Sequence, residues 1–234
     1  MSGPNGGKVL LVAGLVGIVA VACSFGQEVA IKALADASVS DYSRTSMFGD
    51  RESLSVRRHD SQNQHDKAYL CFSLKDLPAG EVAEAKLKLR VTGAVQWQNY
   101  PVTINVHGII DNKDWDPAVI PEATLNGNNA PRNGMANDFT DAGQTAENTV
   151  RVIGAAKFKS DELPKVVEVD VTDYIMWARG ENEEYSKFAE SDRDGIVTFL
   201  LNQPWPNGAG ATVNSKEATG EDAFPPTLVV TVVQ

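Results

Sequence analysis

The chain contains 234 residues, 42% of them hydrophobic, which is enough for one domain with a sizeable core or for two small domains. Its formal net charge of −10 argues against nonspecific binding to nucleic acids or anionic membranes, because both require a basic surface. A local basic patch is still compatible with this charge.

The N-terminal segment, residues 1–30, is predicted to lie outside the fold. An apolar run extends from Val9 to Ala22, and Lys8 is the only charged residue before Glu28. A basic N-terminal region, an apolar central region and small residues at the cleavage site are typical of a secretory signal. The run is shorter than the ~20 residues that a membrane-spanning helix needs. We therefore expect an exported protein, located at the cell surface or outside the cell.

Cys23 leaves three fates open for this segment. The cysteine follows Ala20, Val21 and Ala22, and this pattern loosely resembles the bacterial lipoprotein box, with Ala20 where leucine is usual. Lipidation of Cys23 would anchor the protein to a membrane, whereas simple cleavage nearby would release it. Retention of the segment would instead provide an anchor or an assembly element.

Strand signals dominate the rest of the chain. Strands are predicted at 35–40, 53–58, 68–74, 85–93, 102–110, 149–155, 166–171, 196–202 and 227–233. Alternation is clear in 85–91, where Leu87, Leu89 and Val91 are predicted to face the core. Many short strands separated by polar turns indicate an all-β protein, a jelly-roll β-sandwich of two antiparallel sheets.

Two segments depart from the strand pattern. One short helix is predicted near 172–179, with Thr172 as its capping residue. The longest loop runs from about 111 to 148 and is rich in Asn, Asp, Gly and Pro. Loops of that length are often functional or partly mobile.

The order of the segments resembles the DNRLRE domain family, which is also classed as carbohydrate-binding module family 96. The resemblance is carried by 35–39, Phe48-Gly49 leading to 54–56, 69–74, 85–89, Asp114-Trp115, 128–131, 169–172, 215–217 and 226–230. It covers about 33–234, so we assign one domain to 31–234. Two features depart from the family pattern: Ser73 replaces an aspartate, and the region 180–195 is unusually acidic.

The resemblance implies a jelly-roll β-sandwich that binds alginate or a related acidic polysaccharide, with calcium as a structural ion. Calcium takes oxygen ligands, and Asp36 and Asp170 are the first candidates for that role. The loop with Asp111, Asp114 and Asp116 is a second candidate. No spacing in the chain reproduces an EF-hand, so the calcium expectation depends on the resemblance.

A polysaccharide of uronic acids needs cations that reach its carboxylates, and arginine suits this role because its guanidinium makes bidentate contacts. The first candidate group is the early basic segment with Arg51, Arg57, Arg58 and Lys67. By alternation, Arg51 and Arg57 share one outward face with Ser53 and Ser55. In the resembled family, we expect this segment to meet the ligand.

A second candidate group is the outward row of Lys86, Lys88 and Arg90. Either group could instead be a solvated strand face whose charges prevent edge-to-edge aggregation. Trp205, in a proline-flanked loop, is a candidate platform for sugar stacking, and Trp97 lies near another loop. For any one tryptophan, packing against the core is the alternative.

The chain shows no Gly-x-Ser-x-Gly, phosphate-binding loop, zinc-ligand spacing or Gly-x-Gly-x-x-Gly. Because carboxylates are abundant, a pair of catalytic carboxylates of the kind found in glycosidases stays an open alternative. We predict a non-catalytic carbohydrate-binding domain, with polysaccharide rather than nucleic acid as its partner. The alternative is a structural subunit of a surface filament, layer or matrix that self-assembles through its N-terminal segment.

Overall fold

Eleven β-strands and one short α-helix, with three 3-10 turns, form the regular structure of the described residues. The computed structural model describes residues 26–62, 64–111, 114–134, 149–187, 193–205 and 207–234. The strands are β1 Gln27–Lys32, β2 Ala35–Ser40, β3 Ser53–His59, β4 Gln64–Ser73, β5 Glu81–Val95, β6 Val102–Ile109, β7 Val150–Phe158, β8 Lys165–Asp170, β9 Ile196–Asn202, β10 Asn207–Asn214 and β11 Thr227–Val233, and the helix is α1 Thr172–Ala178. The all-β class and the single short helix are confirmed.

Two strands, β1 and β10, were not predicted, whereas the nine predicted strands are present with small shifts at their ends. Strand β1 includes residues 27–30, which fell within the predicted N-terminal segment, and it pairs with β11 along its whole length. Strand β10 has the sequence NGAGATVN. Its glycine and alanine residues hide the alternation that a strand normally shows.

All eleven strands belong to one antiparallel sheet, which curls over a common core. The hydrogen-bonded order is β1-β11-β5-β10-β3-β4-β9-β6-β7, with β2 beside β4 and β8 beside β5. The pairing is continuous through β10 and β3, which join the two halves of this order. The predicted division into two separate sheets is therefore not confirmed.

Side chains from both halves of the strand order contribute to the main hydrophobic core. Leu70 and Phe72 of β4 belong to the same buried cluster as Leu87 and Leu89 of β5. Phe72 also lies edge-on to Phe199 of β9, with ring centroids 5.7 Å apart. Burying each of these side chains stabilises the fold by roughly 1.5–3 kcal/mol. The predicted alternation is therefore confirmed, and the polar residues of the same strands are directed away from this core.

A second hydrophobic cluster lies on the opposite face of β2, β4 and β9, beneath the segment that follows β6. Trp115 of this segment is fully buried, and its indole N–H donates to the carbonyl of Ile120 at 2.8 Å. The ring lies edge-on to Tyr69, with centroids 6.4 Å apart. Residues 114–134 of the predicted long loop thus form a packed cover, whereas 135–148 are outside the described residues.

Helix α1 begins at Thr172, but the Thr172 hydroxyl does not cap it as predicted. This hydroxyl donates to Asp170 Oδ1 at 2.6 Å and accepts a hydrogen bond from the backbone N–H of Ala85 at 2.9 Å. The start of the helix is therefore attached to the strands β8 and β5.

The predicted N-terminal apolar run, Val9 to Ala22, and the lipidation candidate Cys23 lie outside the described residues. Among the helices that are described, none has the length and apolar character needed to cross a membrane.

Candidate functional site

A surface groove opens where strands β2 and β3 separate. Both strands pair with β4, but β3 does so only over its last three residues, whereas it pairs with β10 from Ser53 to His59. One hydrogen bond crosses the gap, from the backbone N–H of Ser55 to Ser38 Oγ at 2.8 Å. The groove has a volume of about 360 Å³, which lies within the range of small-molecule sites, roughly 300–1,000 Å³. Its lining comprises Ser38, Val39, Ser40, Tyr42, Phe48, Arg51, Ser53, Leu54, Ser55, Arg57, Gln64, Asp66 and Thr212.

The predicted outward row of the early basic segment forms one wall of this groove. Arg51, Ser53, Ser55 and Arg57 all line it. The reason is the strand period of two, because Val56 and its neighbour Leu54 are directed into the main core. Alternation therefore brings the two arginines into one concave surface.

Neither Arg51 nor Arg57 forms an ion pair within the part of the chain that the structure describes. The Nε of Arg57 is buried and has no hydrogen-bond partner there. A buried donor left without an acceptor costs roughly 1–3 kcal/mol. The Arg51 guanidinium lies 4.5 Å from the centroid of the Phe48 ring, a cation–π contact that fixes its position. The groove thus offers two guanidinium groups that form no ion pair with described residues, and the Nε of one of them, Arg57, lacks an acceptor.

The other wall of the groove was not predicted from the sequence. Tyr42 is 69% exposed at its rim, within a polar loop. Gln64 and Asp66 come from β4, where Asp66 lies opposite Arg57 in the strand register. Asp66 accepts a hydrogen bond from Ser55 Oγ at 3.2 Å and is the one carboxylate among the described lining residues. An exposed tyrosine in a Ser-rich loop was the only sequence signal for this wall.

Arg58, although it is next to Arg57, is engaged in a different contact. Its Nε and Nη2 donate to the two carboxylate oxygens of Asp60 at 2.7 and 2.8 Å. Its Nη1 donates to the carbonyl of Pro204 at 2.6 Å. Hydrogen bonds from Arg58 hold the pKa of Asp60 below its usual range. Arg58 therefore links the end of β3 to the loop before Trp205 and does not line the groove.

Lys67, which was predicted to contact a ligand, has a buried position within the fold. Its side chain is 1% exposed. The ammonium group donates to Asp41 Oδ2 at 3.1 Å, to the carbonyl of Asn133 at 3.0 Å and to Asn133 Oδ1 at 2.8 Å. Burial lowers the pKa of Lys67, while the charge of Asp41 opposes this shift. All three ammonium donors are therefore used within the protein.

The second predicted row, on β5, is paired with carboxylates at every position. The ion pairs are Lys86–Glu84 at 2.7 Å, Lys88–Glu168 at 2.9 Å and Arg90–Asp222 at 3.2 Å. The row faces outward as predicted, but each cation already has an acidic neighbour. This arrangement is the one expected of a solvated strand face.

The candidate tryptophans are exposed but lie outside the groove lining. Trp205 is 57% exposed in the loop between β9 and β10. Trp97 and Tyr100 lie in the loop between β5 and β6, where their rings stack with centroids 5.7 Å apart and an interplanar angle of 15°.

Three carboxylates meet beside the groove: Asp36 of β2, Glu122 and Glu217. Their ligand-type oxygens all lie within 4.8 Å of one another. The backbone N–H of Asp36 donates to Glu122 Oε1 at 3.0 Å, and the backbone N–H of Lys216 donates to Asp36 Oδ2 at 2.7 Å. Asp36 shares its face of β2 with the groove residue Ser38, so the carboxylate cluster and the groove adjoin.

Charges in this cluster are only partly balanced. The Lys216 ammonium contacts Glu122 Oε2 at 2.9 Å and also pairs with Glu217. Burial, with the charges of Glu217 and Glu122, raises the pKa of Asp36 to about 8. Although burial works against its charge, the hydrogen bonds from Lys216 to Glu217 and Glu122 raise the pKa of that lysine. Asp36 Oδ1 is buried without a hydrogen-bond partner among the described residues.

Asp170, the other predicted calcium ligand, lies elsewhere. It accepts hydrogen bonds from the hydroxyl and the backbone N–H of Thr172, which lower its pKa. Among the described residues, the one group of three carboxylates with ligand spacing is that of Asp36. The sequence therefore identified one ligand candidate of this cluster but not Glu122 or Glu217.

The model of carbohydrate-binding module family 96 matches residues 27–232, nearly the whole chain. The chain belongs to carbohydrate-binding module family 96. This membership confirms the resemblance to the DNRLRE domain and indicates carbohydrate as the partner of the protein. No curated protein matches this family 96 module.

In this family 96 module, the groove carries both charged and neutral hydrogen-bonding groups. Two guanidinium groups can meet carboxylates, and the serine hydroxyls with Gln64 and Asp66 can donate to or accept from sugar hydroxyls. Tyr42 adds an exposed ring at the rim.

Proposed function

We propose that this chain is a non-catalytic binding module that holds an acidic polysaccharide, such as alginate, in the groove between β2 and β3. The observation that carries the proposal is the pair of unneutralised arginines, Arg51 and Arg57, in a concave polar surface. Membership of family 96 supports carbohydrate as the ligand. The charge of the groove favours a uronate over a neutral sugar.

Recognition would combine charge with hydrogen bonding. The Arg57 guanidinium would donate two parallel hydrogen bonds to a uronate carboxylate, which satisfies its buried Nε. Arg51, held over Phe48, would meet a second carboxylate of the same chain. Ser53, Ser55 and the Asp66 carboxylate would bind ring hydroxyls. Because uronates are spaced regularly along alginate, two arginines bind one chain better than either binds alone.

Export would bring such a module to the place where extracellular polysaccharide is found. The apolar N-terminal run followed by Cys23 supports secretion, with a lipid anchor at Cys23 as one form of attachment. We propose that the module acts outside the cell or on its surface. Mass spectrometry of the native protein would show a cleaved or lipidated N-terminus, whereas an intact terminus in the cytoplasm would contradict this location.

Calcium, which the family resemblance implies, fits the cluster of Asp36, Glu122 and Glu217. The three groups offer the oxygen ligands that calcium requires, and Asp36 Oδ1 is a buried oxygen without a partner among the described residues. We propose that these residues hold the ion, which would supply positive charge to the cluster beside the groove. The Lys216 ammonium, which contacts Glu122 and Glu217, would then have to release these carboxylates to the ion.

The calcium proposal is tested by thermal unfolding of the full-length chain in calcium and in chelator. At a hundredfold excess over Kd, calcium should raise the Tm by roughly 5–10 °C. Asp36→Asn should remove this increase, and Asp170→Asn should preserve it. An equal Tm in calcium and chelator for the unsubstituted chain would overturn the proposal.

The binding proposal is tested by calorimetry of the full-length chain with alginate, esterified alginate that lacks free carboxylates, a neutral glucan and a sulfated glycan. Alginate should bind saturably, and the esterified form should bind far less. The Arg51→Ala, Arg57→Ala double variant should lose binding, while the matched Lys88→Ala, Arg90→Ala double variant should keep it. No binding to any glycan would overturn the proposal and favour the predicted role in surface assembly.

A further inference from the structure

An exposed aromatic pair stands at the end of β5. Trp97 is 44% exposed and Tyr100 is 61% exposed, although large rings are usually buried. The two rings stack on one another, and the N–H of Tyr100 donates to the carbonyl of Trp97 at 3.2 Å. Val95, the last residue of β5, is also exposed beside them. The turn holds both rings in a fixed arrangement at the surface, so little conformational entropy is lost when a ligand stacks on them.

The strand register connects this pair to the arginine groove. Arg57 of β3 lies opposite Gly210 of β10, and Gly210 lies opposite Val95 of β5. Side chains of directly paired residues are on the same face of a sheet. The outward face therefore runs from Arg57 across Gly210 to Val95, and Trp97 follows two residues later.

The strip between the groove and the aromatic pair carries only small side chains. In the adjacent row, Ser55 lies opposite Thr212, and Thr212 lies opposite Gly93. A Cβ on Gly210 would lie 3.0 Å from both Cβ and Cγ of Arg57. The stem of Arg57 therefore lies against the bare backbone of Gly210. No large side chain of these two rows separates the arginine from Val95.

We infer that Trp97 and Tyr100 form a stacking subsite for a sugar ring of the same polysaccharide chain whose carboxylate Arg57 binds. This inference rests on the proposed function of the groove. Neighbouring strands are about 4.8 Å apart, so two strand spacings place Val95 roughly 10 Å from Arg57, and the subsite lies farther away, past the end of β5. A chain must therefore extend beyond the groove to reach the rings, and the aromatic subsite contributes only to the binding of longer chains.

Calorimetry of the full-length chain with two uronate oligosaccharides tests this inference, one a disaccharide and one a decasaccharide. Trp97→Ala should weaken binding of the decasaccharide by about three- to tenfold, as expected for loss of an aromatic contact. It should leave the affinity for the disaccharide unchanged. Arg57→Ala should weaken both, and Trp205→Ala, which removes an exposed tryptophan ring from another loop, should weaken neither.

The outcomes separate the inference from the proposed function. If Arg57→Ala weakens binding of both oligosaccharides but Trp97→Ala weakens both equally or neither, the subsite is wrong while the groove stands. If Arg57→Ala weakens neither, the groove itself is wrong. Sedimentation of the Trp97→Ala variant completes the test, because a change in oligomeric state would assign the rings to self-association instead.

Discussion

The outer faces of β3 and β5 both carry cations in an alternating row, and the two rows differ in their surroundings. On β5, Lys88 and Arg90 each contact a carboxylate from a distant segment, Glu168 or Asp222. On the β3 side, Arg57 and its neighbour Arg51 have no such partner among the described residues. The β5 row lies on a solvated strand face, whereas the β3 row lies in a groove.

The comparison shows that a cationic row acquires its role from residues far away in sequence. Alternation fixes which side chains face outward, and it does so equally well for both rows. Whether a charge remains available depends on what the neighbouring strands place beside it. Strand β8 places Glu168 opposite Lys88, whereas β10 places Gly210 opposite Arg57.

The strongest test of this distinction is Lys67, whose charge serves the fold. Lys67→Met should destabilise the protein by about 3–5 kcal/mol, because it removes the closest cation from the nearly buried Asp41 and leaves it only the longer contact with Arg44 at 4.0 Å and that with His65 at 3.9 Å. Urea unfolding would measure this change, with the exposed Lys32→Met as its matched control. Breaking a buried ion pair should cost more than about 1 kcal/mol of folding free energy. A smaller loss of stability would show that the charge of Lys67 is not needed for the fold.

The next effect concerns the available cation Arg57. Arg57→Ala should weaken alginate binding by roughly ten- to hundredfold, since a hydrogen bond to a charged group contributes roughly 1.5–3 kcal/mol. Arg57→Lys should recover only part of the affinity, because an ammonium cannot make the bidentate contact. Unfolding midpoints should stay unchanged in both variants. A large loss of stability in Arg57→Ala would mean that this residue, too, is structural.

A smaller effect, on stability, is expected from a substitution at Gly210, which lies beside Arg57 on β10. Gly210→Ala would place a Cβ 2.8 Å from the carbonyl oxygen of Val56. Because that contact is with backbone, we expect a loss of stability of about 1–3 kcal/mol. Chemical unfolding would measure it, with Ala209→Gly as a neighbouring control. Unchanged stability would show that β3 and β10 adjust freely here.

The smallest effect is expected for the paired row. Lys88→Ala combined with Arg90→Ala should change alginate affinity by less than twofold, since both cations are paired with carboxylates and lie outside the groove lining. Calorimetry at two salt concentrations would measure it. A loss as large as that of Arg57→Ala would place the binding face on β5 and reverse the comparison.

The sequence predicted the features that depend on local periodicity. Nine strands, the outward position of Arg57 and the inward position of Leu87 all follow from alternation over a few residues. Strand β10 was missed because its glycines and alanines carry no such signal. The helix position was correct, but the hydrogen bonds of Thr172 depend on Ala85 of β5, which lies 87 residues earlier.

The features that depend on long-range register were beyond the sequence. Asp36 and Glu122 are 86 positions apart, so nothing local links them as ligands of one cluster. Lys67 and Arg57 are both basic residues near polar loops, so their sequences look alike. The Lys67 ammonium is bound by Asn133, whereas Arg57 lies beside Gly210, which has no side chain to bind it. The pairing of distant strands, not the composition of either segment, determines these differences.

The packed cover of residues 114–134 also gives the protein an internal reporter of its own opening. Cys71 lies beneath this cover, fully buried, with its thiol donating to the carbonyl of Trp115 at 3.4 Å. Burial, reinforced by nearby carboxylates, raises the pKa of this thiol, so the thiol is unreactive while the cover stays in place. A thiol-modifying reagent must therefore wait for the cover to detach. In a chain with Cys23 replaced by Ser, the labelling rate of Cys71 would follow the opening of this one segment separately from global unfolding.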